Sequence, residues 1–116
     1  MDYKFINPEY LNSIAGGNSE MISEIVEMFK EQVTETYFEM KSLFSDKNYK
    51  ALGCLAHKAK STVAIMGMED LAKLLKTLEL QAKEGTGSEF FEGYIERFRN
   101  DTFEAVKELD DLVSNS

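Results

Sequence analysis

Apolar residues recur along much of the chain at alternating steps of four and three, the spacing of one buried helical face. The longest run is Ile22, Val26, Phe29, Val33, Met40 and Leu43, with Thr36 at the step where an apolar residue is missing. Another runs through Phe91, Ile95, Phe98, Thr102, Ala105, Leu109 and Leu112. Between them, Leu52, Ala56, Ala59, Val63 and Met66 fall within about 40° of one line on a helical wheel, with Leu55 just outside. Leu71, Leu74, Leu75 and Leu78 mark a further helix. No segment alternates polar and apolar residues over a useful length, so no strand is predicted.

Punctuation divides these runs. Asn7-Pro8 starts a short helix, because Asn caps and Pro at the first helical position loses no hydrogen bond. Gly16-Gly17 ends it, and Asn18 caps the long second helix. Ser45 or Asp46 is the expected cap of a third helix running to about Met66, with Gly67 as its structural stop. The fourth runs from about Glu69 to Glu84 and ends in Gly85-Thr86-Gly87. Thr86 and Glu89 have capping-box spacing for the last helix, with Ser88 a competing cap. Connections this short force neighbouring helices to run antiparallel. The pattern predicts an all-α fold, an antiparallel up-down four-helix bundle with a short extra N-terminal helix, as one domain over residues 1–116.

With 116 residues, a chain can bury about two thirds of its unfolded surface without staples. A single Cys gives no disulfide framework, and a reducing, cytoplasmic setting is expected. Cys54 and His57 have ligand-like spacing but no further Cys or His accompanies them, so no metal site is expected. Cys54 reads instead as a small residue on the helix surface. A formal net charge of −8 argues against nucleic acid as partner. No apolar run approaches the roughly 18 residues that span a bilayer, and too few bulky apolar groups accompany the lysines for membrane-surface binding. The start Met1-Asp2-Tyr3-Lys4 is unlike a signal peptide. Met1 and the short tail favour a free-standing protein, with monomer the default.

Charge is unevenly spread. The stretch from Lys47 to Gly67 holds Lys47, Lys50, Lys58 and Lys60 and no acid, a net +4 that leaves −12 elsewhere. The only His of the chain, His57, lies on this helix, about 140° from its apolar line and so facing solvent. Its neighbours on that face are Gly53 one turn before, Ser61 one turn after and Ala64 two turns after. Exposed helix positions are normally filled by long charged side chains, and a helical Gly costs about 1 kcal/mol. An imidazole on such a bare strip is open to close approach by another protein. Lys60, about 60° round the wheel, can reach the far side of the ring. A basic helix in an acidic chain reads as a site for anionic phosphate, or for a partner with an acidic pocket.

The run Ala56-His57-Lys58-Ala59-Lys60-Ser61, continuing to Gly67, Leu71, Leu74 and Leu78-Glu79, resembles the histidine-containing phosphotransfer (HPt) domain. That family has His, Lys three residues on, then a small residue, with Gly ten after the His; His57, Lys60, Ser61 and Gly67 fit. Tyr10 to Asn18 is similar to the family's short first helix and Gly-containing turn. Two positions depart from the commonest pattern: Ser61 stands where many members have Gly, and Ala64 where some have Gly or Ser.

The resemblance implies a carrier that shuttles phosphoryl groups between receiver-domain aspartates of a hybrid sensor kinase and of response regulators, without kinase or phosphatase activity of its own. It implies His57 as the phosphorylated nucleophile, with Nε2 expected to attack, and Lys60 as the group that offsets phosphoryl charge. It also implies that Gly53, Ser61 and Ala64 keep the approach clear, that Ser61 offers a hydroxyl to a phosphoryl oxygen, and that Lys58 contributes more weakly. The chain itself binds no cofactor in this reading, and the partner supplies Mg²⁺. Family members dock through an apolar patch beside the His, for which Ile14, Met21 and Ile25 are candidates, although core positions are expected for most of them. The competing reading is a non-catalytic helical interaction module.

Overall fold

Local chemistry decides where each helix of this computed structural model begins and ends; it describes residues 3–114, except the side chain of Ile14. Met1 and Asp2 of the leader reading, and the side chain of the docking candidate Ile14, therefore lie outside the described residues. Helix α1 spans Pro8–Ala15, with Asn7 accepting from the Tyr10 amide and Gly16 closing it in the left-handed conformation. Helix α2 spans Ser19–Ser45; the Asn18 side chain accepts from the Glu20 and Met21 amides. Helices α3 (Tyr49–Ile65), α4 (Glu69–Glu84) and α5 (Phe91–Ser114) follow, with a 3₁₀ turn over Ser88–Phe90 before the last.

Two caps differ from expectation. Asp46 is the helical C-cap of α2, and Lys47 turns the chain at φ 57°. Asn48 is therefore the residue that caps α3, through the Ala51 amide. Neither Thr86 nor Ser88 caps α5: Gly87, at φ 74°, precedes the 3₁₀ turn, and no side chain caps that turn. A third difference concerns α2, where Tyr37 rather than Thr36 supplies the missing core step. Tyr37 has an apolar ring that packs edge-on against Phe103, and its hydroxyl lies 3.4 Å from Glu96. Such a residue fills a core position at the bundle edge while its polar end stays satisfied.

Helices α2 to α5 form the bundle, α2 packing on α3 and α5, and α4 on α3 and α5. It is an antiparallel up-down four-helix bundle with α1 added at one end. The molecule measures 44 × 20 × 20 Å, a length that matches the roughly 40 Å of a 27-residue helix. Phe29, Met40, Leu52, Leu75, Leu78, Phe91 and Phe98 meet along its axis, fully buried. Thr102, the one polar residue among the buried positions of α5, donates its hydroxyl to the Phe98 carbonyl at 2.7 Å.

The N-terminal segment is tied across one end. Glu108 of α5 accepts from three successive amides, those of Lys4, Phe5 and Ile6, at 3.1, 2.9 and 3.2 Å. The Asn7 amide then donates to the Met66 carbonyl. Gly67, at φ 82°, lies so close beneath Asn7 that a Cβ would stand 2.5 Å from the Asn7 Cβ. Both the left-handed conformation and the contact demand glycine there. Among the described residues no helix is long and apolar enough to cross a membrane.

Candidate functional site

The α3 stripe Leu52, Ala56, Ala59 and Val63 goes into the core, which turns His57 outward with 59% of its side chain exposed. Ser61 and Ala64 are exposed on the same side, and so is Cys54. Lys58 is exposed on the flank that faces α2, where it borders a groove with Gln32, Glu35 and Thr36. Gly53 does not share the open strip, contrary to expectation: it is buried against α4. A Cβ on Gly53 would meet the Glu79 carbonyl oxygen at 3.2 Å, the Lys83 Cγ at 3.2 Å and the Ala82 Cβ at 3.3 Å. Its place is explained by the close approach of two helices.

That approach brings an unexpected carboxylate under the imidazole. Glu79 is buried on α4, and its Oε2 lies 3.0 Å from His57 Nδ1 and 2.9 Å from Lys83 Nζ. Lys60 Nζ stands 3.6 Å from Oε1 of the same carboxylate. The hydrogen bond from Lys83 is the main influence lowering the Glu79 pKa to about 2, against the desolvation that raises it, and the bond from His57 lowers it further. Lys83 is held above the usual lysine value by the same bond.

An ionised carboxylate only accepts hydrogen bonds, so the proton in the short contact belongs to His57 Nδ1. A neutral imidazole held this way presents its lone pair on Nε2, on the side away from Glu79. The arrangement thus defines a tautomer, which the sequence does not. Glu79 and Lys83 are the site residues that sequence reasoning missed. A signal was present: Glu79 lies about 40° from Leu75 and about 60° from Ala82 on the wheel, at the edge of the core face, and an acid so near that face is paired when it is buried.

Beside this site, Ile25, Met28, Gln32, Thr62, Ile65 and Met66 line a mainly apolar groove of about 200 Å³ between α2 and α3. Met21, one of the docking candidates for most of which core positions are expected, is exposed, as are Met28 and Ile65; Ile25 is half-buried. Ile65 follows His57 by about 12 Å along α3. Among the described residues no three His, Cys, Asp or Glu side chains gather as metal ligands.

A family model for the Hpt domain matches residues 24–115, from the second turn of α2 to the end of α5. The chain belongs to the histidine-containing phosphotransfer (Hpt) family. No curated protein and no solved structure matches it. Hpt domains are phosphotransfer modules of two-component signalling, and they interact with receiver domains in phosphorelays. In this Hpt domain the match covers every helix of the bundle and leaves α1 outside.

Proposed function

We propose that this Hpt domain carries a phosphoryl group on His57, accepting it from a phosphoaspartate of one receiver domain and passing it to an aspartate of another. The observation that supports this reading is the exposed imidazole whose Nδ1–H is held by the buried, ionised Glu79. The Nε2 lone pair attacks phosphorus in line; the P–N bond forms as the P–O bond to the donor aspartate breaks, and that carboxylate leaves. The Nδ1 proton stays against Glu79 throughout, so the positive charge that grows on the ring is offset where it develops. Transfer onward is the reverse step with a second receiver.

Such transfer is catalysed mainly by positioning and by stabilising charge on the equatorial oxygens. Lys60 supplies charge from this chain, and the receiver supplies Mg²⁺ with its own carboxylates. Ser61 and Ala64 leave room for the receiver, and the Ser61 hydroxyl reaches a phosphoryl oxygen; Lys58, on the other flank, adds only a weak field. The α2–α3 groove lined by Met28 and Ile65, about 12 Å along α3 from His57, is the apolar seat for the receiver. This chain has the role of a carrier, without kinase or phosphatase activity of its own.

The test mixes the purified chain with phosphorylated receiver domains and Mg²⁺, and follows intact mass and acid lability. An acid-labile gain of one phosphoryl group is expected on wild type and not on His57→Gln. Transfer to the Gln variant at the wild-type rate, or no transfer from any receiver, overturns the reading in favour of a non-catalytic interaction module.

A further inference from the structure

The apolar groove between α2 and α3 lies further along α3 from His57, at Thr62 to Met66, whereas the α4 side of His57 has a different chemistry. Along the outer face of α4, Lys73, Lys76, Leu80 and Lys83 follow at steps of three, four and three, one continuous stripe. Glu69 and Glu84 lie at its two ends. Leu80 is 49% exposed, on a helix whose other leucines are buried or half-buried. Lys73 and Lys76 are exposed and, among the described residues, pair with no carboxylate. On the adjoining face of α3, Lys50 and Lys60 add two further charges; the exposed acids Glu69, Asp70 and Glu84 sit towards the ends of α4, and Glu79, between the two helices, is buried and already engaged. A chain of net −8 thus sets three lysines and an exposed leucine in one stripe on the helix whose Glu79 meets the candidate nucleophile.

We infer that the α4 stripe is a second docking surface, and that its occupant is an acidic rim on the receiver partner, seated over Leu80 and between Lys73 and Lys76. The inference rests on the phosphotransfer reading and adds to it the element that selects among receivers. Charge complementarity decides the occupant: the unpaired ammonium groups of Lys73 and Lys76 beside one apolar contact suit a carboxylate-bearing protein surface with a small apolar centre. The two sides of His57 then have separate tasks. Apolar contact on the α2 side holds the partner, while the charged α4 side steers encounter and rejects receivers with a basic rim.

The experiment compares wild type with Lys73→Glu/Lys76→Glu, two exposed positions outside the Glu79 network. Transfer rates from a panel of phosphorylated receiver domains are measured at about 20 and about 500 mM salt. Labelling of His57 by potassium phosphoramidate, a small phosphodonor that needs no docking surface, is measured alongside. At low salt the variant should lose about tenfold in kcat/KM with receivers whose rim is acidic, shrinking to about twofold at high salt. Phosphoramidate labelling and the melting temperature should not change. Equal rates for variant and wild type with every receiver overturn the α4 surface and leave the carrier reading intact. A wild-type rate that does not fall with salt overturns it too, whether or not the variant folds. If wild type takes a phosphoryl group from no receiver, the carrier reading fails and the α4 surface with it. Binding of the stripe to single-stranded DNA or anionic vesicles at the affinity found for the receiver would overturn the choice of occupant.

Discussion

Glu79 shows how one side chain can set the state of another. Its carboxylate takes a proton-bearing nitrogen from His57 and an ammonium from Lys83, and both bonds require it to stay ionised. Glu79→Gln replaces an obligatory acceptor with an amide that can donate or accept, so the imidazole is no longer restricted to one tautomer. Long-range ¹H–¹⁵N spectra of the wild type at a pH where the ring is neutral should show His57 with its proton on Nδ1, and those of the variant a mixture. Phosphoryl transfer should slow by about tenfold. A wild-type spectrum dominated by the Nε2–H tautomer would sink the positioning role even if the rate fell. The same carboxylate makes stability depend on pH. Its folded pKa of about 2 lies below the ordinary carboxyl value of 4.5, so its contribution is complete above pH 4.5. That contribution is lost as the pH falls from about 4.5 towards 2. Denaturant midpoints should therefore drop more steeply over that window for wild type than for Glu79→Gln, and the two should converge near pH 2. Parallel curves would show that Glu79 is not held ionised in the folded state.

At the scale of the element, the pairing of α3 with α4 depends on a residue that the helical wheel places beside the His. Gly53 costs helix propensity but lets the α4 backbone come within van der Waals reach of α3. Gly53→Leu should force the helices apart and lower stability by about 1–3 kcal/mol in chemical denaturation. The His57 Nδ1–H signal should lose its carboxylate-bonded character at the same time. A variant as stable as wild type, with that signal unchanged, would mean that Gly53 is not the spacer. The helices themselves were legible because four-three spacing is a local property: Ile22 to Met40 and Phe91 to Leu109 face inward as the spacing requires. Cap positions were less legible. The left-handed Lys47 adds a step between α2 and α3, so that Asn48 rather than Asp46 meets the free amides. His57 and the small residues after it were readable as an exposed strip for the same local reason. Glu79 and Lys83 were not, because their relation to His57 depends on which turn of α4 meets which turn of α3. That register is set across the interface, by the Gly53 contact, and no single helix encodes it.

The whole molecule separates acid from base. Its net charge is −8, yet the stretch from Lys47 to Gly67 that holds His57 is +4, and the carboxylate that meets the imidazole is buried and neutralised by its lysine neighbours. A divalent cation gains its binding energy from free carboxylate or carbonyl oxygens. Glu79 has Oε2 bonded to His57 and Lys83, and Oε1 facing Lys60, so a cation approaching this site would have to displace positive charge from the one acid that meets His57 among the described residues. On the proposed carrier reading the Mg²⁺ of phosphoryl transfer is expected on the receiver side of the complex, and its removal should have separable effects. Added EDTA should slow transfer between phosphorylated receiver and His57 by about a hundredfold or more. It should leave the melting temperature of the isolated chain unchanged, and also the rate at which phosphoramidate labels His57. If EDTA lowers the melting temperature or stops phosphoramidate labelling, the metal is bound by this chain, and the division of labour between a basic carrier face and an acidic receiver pocket is wrong. If transfer from the receiver runs at full rate in EDTA, charge on the phosphoryl oxygens is being met by lysines alone, and Lys60→Ala should then abolish it.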